Sequence, residues 1–366
     1  MALPRICMIT SVHKHDDIRI YHKEAKALKK AGYDVTVLCQ DYQGNDESGV
    51  HFCRIALPPS RVKRIAQAWQ LMAQKAMELN CQIYHIHDPE LLPAAFWLKD
   101  RGKTVVYDAH EDTPRQLLAK PYWNFMVRKT ASKAVEWMEN RAGSRLDKVF
   151  AATSSIAKRY KNGVPIENFP QLEEFPPDLL TPYEKRPCQV CYVGAITENR
   201  GLTAMVQSVQ NVPVRLSLAG ALEFPSLAQK IKQLDKEEKV QYKGVLNRAE
   251  TVQLIGGSRA GLLLLKPTPS YIQSYPIKLF EYLLAATPVI LSDFLLWREI
   301  VGKENGIFVP PEDTAKIKAA LEYLLAHPQE GKQMGLAGQK RVKERFLFPE
   351  KRLLCQYQEL WKGGAL

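Results

Sequence analysis

The feature that most constrains the fold is a repeated alternation of short apolar runs with segments of helical period. Short apolar runs indicate buried strands, and the segments between them place apolar or small residues at helical spacing. Because strands that alternate with helices form parallel sheets covered on both faces, the sequence predicts an α/β fold of two Rossmann-like domains facing across a cleft. The predicted strands are 5–11, 34–40, 81–87, 103–110 and 147–153, then 188–194, 214–220, 240–246, 260–266 and 287–293.

A proline-rich stretch separates the two halves of this pattern. The segment "GVPIENFPQLEEFPPDLLTPYEKRP" contains six prolines, which cannot sit inside a packed sheet. We therefore predict an N-terminal domain over residues 1–165 and a C-terminal domain that begins at residue 166.

Composition limits the class of protein. The 366 residues are 46% hydrophobic and 25% charged, which is enough to bury two cores of ordinary size. No long uncharged apolar run and no signal-like N-terminal segment is present, so we expect a cytoplasmic protein. The seven cysteines predict reduced thiols. Cys188 and Cys191 form a CxxC inside a predicted strand with no second pair at zinc spacing, so no metal is expected.

Positive charge is concentrated in the first half of the chain. The formal net charge is +12, and residues 1–165 hold 26 basic against 17 acidic side chains. Segment 113–135 has five basic residues, no acidic ones and several large apolar neighbours, which suits the headgroups of an anionic membrane surface. The alternative is a solvated basic helix with one packed face. No recognition motif supports nucleic acid. The interleaved residues are Lys120, Trp123, Phe125, Met126, Arg128 and Lys129.

Polar side chains follow three of the predicted N-terminal strands. Ligands of doubly wound sheets bind beyond the carboxyl ends of strands, so "SVHKHDDIRIYHKE", "HIHDPELLP" and "YDAHEDTPRQ" predict a polar cleft wall. Taken singly, His87 could bond a neighbouring loop and Asp88 could cap a helix. The candidates are His13, Asp16, Asp17, Arg19, His87, Asp88, His110, Glu111 and Asp112.

The C-terminal half offers a candidate anion site. The first loop, "TSVHKHDDIRIYH", has no glycine, which argues against a dinucleotide there, whereas "YVGAITENRGL" places glycines and Arg200 after a strand. In "SYPIKLFEYLLAATPVILSD", Pro276 predicts a helix that starts near Ser274 or Tyr275.

The unpaired amides at the start of that helix, together with Lys278, suit a diphosphate, and Glu281 could accept hydrogen bonds from vicinal hydroxyls such as those of ribose. Alternatively Lys278 and Glu281 pair on the helix surface, which is worth about 0.2–0.5 kcal/mol. The spacing does not decide between these alternatives.

These segments together resemble the retaining GT-B glycosyltransferases of glycosyltransferase family 4. The resemblance covers nearly the whole chain, including "DDIRIYHKEAKALKKAGYDVTVLC", "YDAHEDTP", "YPIKLFEYLLAATPVILSD" and "NGIFVPPEDTAKIKAALEYLL". It implies a C-terminal domain, 166–346, that binds a nucleotide-sugar donor, and a final helix, 347–366, that packs back on the acceptor-binding N-terminal domain.

The same resemblance implies roles for individual residues. Glu281 would bind the ribose hydroxyls, Lys278 and Arg200 the diphosphate, and His110 the transferred sugar. Gly244 and Val245 would border the base. The other donor-binding candidates are Gly194, Lys266, Gln273, Ile277 and Leu279.

Three positions depart from the family pattern. Gln273 stands where the family often has a glutamate, Ala195 where it usually has an arginine, and Ala286 where a glycine is common. Lys266 or Arg19 would then join Arg200 and Lys278 in neutralising phosphate.

The expected activity is retaining transfer from a UDP- or GDP-sugar to a glycan or lipid-linked acceptor, as in lipopolysaccharide or capsule synthesis at the cytoplasmic face of the plasma membrane. The leaving phosphate oxygen would assist the acceptor, without a metal or other cofactor. Asp16, Asp88, Glu111 and Asp112 would orient acceptor or sugar, or supply a general base if the enzyme inverts. The alternatives are a nonhydrolysing nucleotide-sugar epimerase and a catalytically silent nucleotide- or glycan-binding subunit.

Overall fold

The computed structural model describes residues 3–58, 61–118 and 124–363. The chain forms two compact units, of which the first is Met1–Asn168 with Phe348–Leu366 and the second is Phe169–Leu347. The last helix of the chain therefore belongs to the same unit as the first strand.

The N-terminal unit is built on an eight-stranded sheet. Its strands are β1 (Arg5–Ile9), β2 (Asp34–Cys39), β3 (Gly44–Asn45), β4 (His51–Arg54), β5 (Ile83–Ile86), β6 (Thr104–Ala109), β7 (Lys148–Ala151) and β8 (Gly163–Pro165). Their order is β3-β4-β2-β1-β5-β6-β7-β8, and every neighbouring pair is parallel except β3 with β4. The direction of winding reverses between β1 and β5, which is where such sheets bind ligands.

The helices of this unit connect successive parallel strands. A π-helical segment, Ile18–Ala25, leads directly into α1 (Lys26–Lys30). It is followed by α2 (Arg61–Glu78), α3 (Leu92–Lys99), α4 (Thr113–Leu118), α5 (Phe125–Arg145) and α6 (Ser154–Ala157).

Alternation along the strands gives this sheet two buried faces. In β1, Cys7 and Ile9 belong to one hydrophobic cluster, whereas Ile6 and Met8 belong to another on the opposite face. The second cluster also contains Tyr357 of the last helix. Burial on both faces explains why the strand sequences are nearly continuous apolar runs.

The C-terminal unit contains a six-stranded parallel sheet. Its strands are β9 (Gln189–Val193), β10 (Arg215–Ala219), β11 (Val240–Tyr242), β12 (Ala260–Leu263), β13 (Val289–Ser292) and β14 (Gly306–Val309). Their order is β11-β10-β9-β12-β13-β14, so the winding reverses between β9 and β12. The predicted α/β class with two parallel sheets is confirmed.

Helices again cover both faces of the second sheet. They are α7 (Leu202–Ser208), α8 (Ser226–Leu234), α9 (Arg248–Gly256), α10 (Pro269–Ile272), α11 (Ile277–Leu284), α12 (Leu295–Val301), α13 (Thr314–Ala326) and α14 (Pro328–Arg345). The final helix, α15 (Glu350–Gly363), packs in the N-terminal unit.

Helix α11 begins later than its sequence predicts. Pro276 has an extended backbone and occupies the cap position, so the first helical residue is Ile277 rather than Ser274 or Tyr275. Lys278 consequently lies in the first turn of α11, closer to the helix start than predicted.

Leu283 provides a test of the packing of α11. Its side chain is fully buried, and a Cβ placed on Gly338 of α14 would lie only 2.6 Å from Leu283 Cδ2. We expect Leu283→Ala to lower the free energy of unfolding by about 2–5 kcal/mol, measured by urea denaturation. The matched control is Leu295→Ala, at a position that is 75% exposed, which should change it by less than about 0.5 kcal/mol. Equal losses for both variants would contradict the packing.

Candidate active site

Three glycines form a bare edge at the carboxyl ends of the C-terminal strands. Gly194, Gly220 and Gly244 follow β9, β10 and β11, with φ values of +129°, +137° and +68°. The Gly194 amide donates to the Ala219 carbonyl and the Gly220 amide to the Gly244 carbonyl, both at 2.7 Å. A Cβ on Gly220 would lie 2.0 Å from the Gly194 carbonyl oxygen. These three positions carry no side chain, and of the three only Gly244 has open space where a Cβ would lie.

Lys278 lies across this glycine edge. A Cβ on Gly194 would lie 1.8 Å from Lys278 Cε and 2.5 Å from its Nζ. The lysine side chain therefore occupies space that any larger residue at position 194 would fill. The structure thus brings together Gly194 and Lys278, two of the predicted donor-binding residues.

Among the residues that the structure describes, no carboxylate is in direct contact with the ammonium group of Lys278. Burial, followed by the positive charge of Arg200, lowers the pKa of Lys278 to about 8, and Glu281 only partly offsets these effects. Arg200 itself lies beside Tyr192 and Tyr271. Within the described ranges, neither Lys278 nor Arg200 forms an ion pair with a carboxylate. Two adjacent, poorly solvated cations form a site that an anion would complete.

Glu281 is held by a residue that the sequence analysis missed. Arg248 Nη1 donates to Glu281 Oε1 at 2.5 Å, and its Nη2 also pairs with Glu174. The Arg248 guanidinium lies 5.3 Å from the centre of the Phe175 ring. The structure thus pairs Glu281 with Arg248 instead of Lys278. A sequence signal existed, because Arg248 stands in the first turn of α9, where the helix dipole disfavours a cation.

The remaining donor candidates have different surroundings. Lys266 Nζ pairs with Glu312 Oε1 at 2.8 Å, Gln273 is exposed at the end of α10, and Ile277 is half-buried. Val245 is exposed next to Gly244. The Leu279 side chain is fully buried in the core of the unit, so only its backbone is left to contact a donor.

In the N-terminal unit, His110 meets a buried carboxylate. His110 follows β6 and is partly exposed, whereas Asp108 within β6 is completely buried. His110 Nε2 lies 3.1 Å from Asp108 Oδ2 and 3.2 Å from His87 Nδ1. His87 Nδ1 is in turn 3.4 Å from the same carboxylate oxygen. Two imidazoles therefore share one oxygen of Asp108.

Arg19 is the counter-ion of Asp108. Its Nε and Nη2 donate to Asp108 Oδ2 and Oδ1 at 2.7 and 2.6 Å, and its Nη1 donates to the Ile166 carbonyl at 2.7 Å. Burial opposes ionisation of Asp108, but the charge of Arg19 and the interactions with His110 and His87 together outweigh it and hold the pKa of Asp108 well below its usual value.

This arrangement corrects two predictions. Arg19 is only 2% exposed, and each of its guanidinium nitrogens donates within the fold, so it does not line a surface for phosphate or acceptor. His87 is buried as well, with Asp108 and His110 as its neighbours. Both side chains therefore stabilise the interior below the strand ends and do not form part of a binding surface.

The buried polar cluster extends to the last helix. Glu24 Oε1 lies 3.2 Å from Arg19 Nε, His85 Nδ1 lies 3.7 Å from Glu24 Oε2, and the Tyr357 hydroxyl is 2.8 Å from His85 Nδ1. Burial, reinforced by the charge of Asp108, raises the pKa of Glu24 well above its usual value, and burial lowers that of His85. Burial therefore disfavours the charged form of both Glu24 and His85.

Four members of this cluster have the chemistry of metal ligands. Glu24, His85, His87 and Asp108 are all buried, and their ligand atoms lie within 4.8 Å of one another. Arg19, however, already donates to both oxygens of Asp108. A divalent ion here would add two positive charges beside this buried guanidinium.

His13 brings a second imidazole towards His110. The two ring centres are 5.0 Å apart, and His13 bonds Asp17 through Nδ1 at 3.0 Å while its Nε2 is 3.4 Å from Asp88 Oδ1. The hydrogen bond with Asp17, followed by the charge of Asp88, raises the pKa of His13, although burial acts in the opposite direction. Burial would raise the pKa of Asp17, but the hydrogen bond with His13 helps to lower it.

The remaining acidic candidates divide into bonded and exposed side chains. Asp88 accepts from the Thr10 hydroxyl at 2.9 Å and from Ser11, so it holds the loop after β1, and it does not cap the following helix. Asp112 pairs with Arg115 and Arg159 at 3.2 and 3.0 Å. Asp16 and Glu111 are exposed.

The fold of this protein is shared by several GT-B enzymes of known structure. Sucrose-phosphate synthase from Thermosynechococcus elongatus has a TM-score of 0.75 at 17% identity, covering 98% of both chains. Anabaena HepE, solved in complex with UDP and glucose, has a TM-score of 0.72 at 14% identity, covering 98% of this chain and 99% of that chain.

The sequence matches two family descriptions in succession. Residues 19–169 match "Glycosyltransferase Family 4" and residues 181–341 match "Glycosyl transferases group 1". The chain therefore belongs to the GT-B glycosyltransferases of the family 4 and group 1 type. A similar curated protein is the D-rhamnosyltransferase WbpZ of Pseudomonas aeruginosa, 24% identical over 322 residues, which covers 81% of this chain and 77% of the relative. Among the described helices, none combines the length and apolar character needed to cross a membrane.

The strain on Lys278 predicts a stabilised variant. Because the folded-state pKa of about 8 lies below the usual 10.5, burial of the charged form costs stability at pH 7, and this cost disappears as pH rises from about 8 to 10.5. We expect Lys278→Met to stabilise the ligand-free protein by about 1–3 kcal/mol at pH 7, with a melting temperature raised by several degrees. The gain should shrink when melting is measured near pH 9.5.

The control for this comparison is Lys340→Met, at an exposed position on α14. It should leave the melting temperature unchanged at both pH values. A Lys278→Met protein that melts at or below the native temperature at pH 7 would show that the ammonium group is not strained.

Proposed function

We propose that this glycosyltransferase binds a nucleoside diphosphate sugar at the glycine edge of its C-terminal unit. The observation that carries the proposal is the pair of cations, Lys278 and Arg200, which lack carboxylate partners within the described ranges. The diphosphate is the anion, and the start of α11 adds unpaired amides and a favourable dipole beside it. The UDP complex of HepE supports a nucleotide of this kind. Glu281 accepts the ribose hydroxyls, and Gly244 and Val245 border the base.

The same residues supply the chemistry of transfer. Breaking the bond between the sugar and the diphosphate develops negative charge on the leaving group, which Lys278 and Arg200 stabilise in place. No enzymic nucleophile is needed. We propose transfer with retention, in which a leaving phosphate oxygen takes the proton of the attacking acceptor hydroxyl. Because the cations provide the counter-charge, the reaction as proposed uses no metal ion.

The N-terminal unit is proposed to serve the sugar and the acceptor. His110 contacts the transferred sugar, and the exposed Glu111 and Asp16 orient the acceptor. The relative WbpZ is a rhamnosyltransferase, which supports a role in polysaccharide synthesis. We infer a UDP- or GDP-sugar as donor and a glycan or lipid-linked acceptor of the cell envelope.

The donor is tested by thermal stabilisation with a panel of UDP- and GDP-sugars and the free diphosphates. A ligand bound by the folded state raises the melting temperature, by about 2.7 kcal/mol of added stability at a hundred times its Kd. Gly194→Ala should abolish the shift, because the added Cβ would meet Lys278 at 1.8 Å. Gly102→Ala is the matched control, since Gly102 also has positive φ, at +71°, but no atom within 4 Å of such a Cβ.

A shift that survives in Gly194→Ala would place the nucleotide elsewhere and would contradict the proposed site. Absence of any shift across the panel with the native protein would contradict the donor class. Donor hydrolysis by the native protein that is lost in Glu281→Ala would further exclude a catalytically silent subunit.

A basic apolar surface is proposed to hold the enzyme at the membrane. At the start of α5, Phe125, Met126 and Val127 are exposed by 60, 65 and 54%, next to Arg128 and Lys129. Exposed apolar side chains beside cations suit the interface of an anionic bilayer. Lys120 and Trp123, which belong to the same predicted segment, lie outside the described residues. We propose peripheral association with the inner face of the plasma membrane.

Vesicle sedimentation tests this surface. The native protein should sediment with phosphatidylglycerol-containing vesicles at low salt but not with pure phosphatidylcholine, because the attraction is electrostatic and screened by salt. Phe125→Ser combined with Met126→Ser should reduce the bound fraction several-fold. The control, Leu336→Ser, changes an exposed leucine on α14 and should leave it unchanged. Equal binding to both lipids would exclude anionic recognition.

A further inference from the structure

We propose that Asp108 is a positioning residue that fixes His110 in its Nε2–H tautomer, and that Arg19 keeps Asp108 ionised for this task. The inference deepens the proposed function, because it rests on His110 contacting the transferred sugar. It assigns roles to two buried residues that themselves have no access to substrate.

The tautomer follows from what surrounds His110 Nε2. An ionised carboxylate accepts hydrogen bonds and cannot donate them, so the nitrogen 3.1 Å from Asp108 Oδ2 must carry the proton in a neutral ring. His110 Nδ1 is then left with the lone pair. A sugar hydroxyl can donate to that nitrogen, whereas the opposite tautomer would present an N–H group to the same hydroxyl.

His87 fits the same assignment. Its Nδ1 lies 3.4 Å from Asp108 Oδ2, and its Nε2 is buried without a hydrogen-bond partner. A proton on His87 Nε2 would be a buried donor with no acceptor, so the neutral His87 ring carries its proton on Nδ1. If that proton went to His110 Nε2, at 3.2 Å, His110 would present a lone pair to the carboxylate oxygen 3.1 Å away, which is repulsive. Donation from both rings to Asp108 leaves only an unpaired acceptor on His87 Nε2. Buried N–H groups without an acceptor are rarer in proteins than buried acceptors without a donor.

Arg19 supplies the charge that this arrangement needs. A buried carboxylate would otherwise take up a proton, and a protonated Asp108 could donate to His110 and reverse its tautomer. The guanidinium binds both carboxylate oxygens in a fork, which neutralises the charge and fixes the plane of the carboxylate. Glu24, His85 and His87 face the pair, and burial raises the pKa of Glu24 and lowers the pKa of both imidazoles, which disfavours the charged form of each. Arg19 donates to both oxygens of Asp108, whereas its contact with Glu24 is a single one at 3.2 Å.

The wild-type tautomer can be read directly. Long-range ¹H–¹⁵N spectra of ¹⁵N-histidine-labelled full-length protein, at about pH 8 where an ordinary imidazole is neutral, distinguish the two tautomers. The His110 signals are assigned by comparison with His110→Gln. We expect the Nε2–H pattern. An Nδ1–H pattern overturns the proposal without any variant of Asp108 or any substrate.

Variants then test the consequence for catalysis, with the donor found by the panel above. Asp108→Asn replaces the acceptor by an amide that can present its own N–H to His110, so the tautomer should reverse. Loss of one transition-state hydrogen bond should lower kcat about 10- to 100-fold while the donor KM stays within about twofold. Asp100→Asn, at an exposed position paired with Arg145, is the control and should change neither.

The outcomes separate this inference from the proposed function. If no donor is found, the tautomer measurement still stands, because it needs no substrate. Asp108→Asn with a native His110 tautomer, or with native kcat, overturns the proposal. If Asp108→Asn does not fold, Arg19→Lys is measured in its place. Because lysine keeps the positive charge beside Asp108, this variant should retain the Nε2–H pattern of His110. Loss of that pattern in Arg19→Lys would count against the proposal that the charge of Arg19 keeps Asp108 ionised. One equivalent of zinc in protein purified without chelator, lost in His85→Ala, would replace the ion pair by a metal site and overturn the assignment.

Discussion

The ion pair between Arg19 and Asp108 is the interaction on which the interior of the N-terminal unit depends. Asp108 lies on a sheet face where a small buried polar cluster is surrounded by apolar side chains such as Val106 and Phe150. An unpaired carboxylate there would cost several kcal/mol, and the fork of Arg19 removes that cost. Arg19 also binds the Ile166 carbonyl, so one guanidinium joins the π-helical segment, β6 and the end of the unit. His110, which is partly exposed, contacts Asp108 of this ion pair.

The fold was largely predictable because most strands are buried on both faces and read as continuous apolar runs. Four strands were not predicted, namely β3, β4, β8 and β14. β4 carries His51 and Arg54 at its ends, and β8 consists of three residues that include Pro165, a residue tolerated at a sheet edge. β3, β8 and β14 lie at sheet edges, where one side needs no partner and the sequence signal is weakest.

The polar wall was predicted as a group of loop residues, but the division between surface and interior was missed. His85 and His87 are two residues apart, as are Asp108 and His110, so each pair leaves its strand in the same direction. Applied to "IYHIH" and "VVYDAH", this period of two would have put His85 and Asp108 in the interior beneath His110. Arg19 could not have been assigned in this way, because its partner lies 89 residues away in the sequence.

The two units treat buried charge in opposite ways, and the difference follows from where carboxylates are placed. In the N-terminal unit Arg19 has Asp108 in direct contact, and the pair is neutral. In the C-terminal unit Glu281 is three residues from Lys278 on α11, a spacing that allows an ion pair of about 0.2–0.5 kcal/mol. Arg248, itself bridged to Glu174, takes Glu281 instead. Because Arg248 pairs with this carboxylate, Glu281 only partly offsets the charge of the Lys278 ammonium at the glycine edge. An anion bound there gains attraction that a direct ion pair between Lys278 and Glu281 would have reduced.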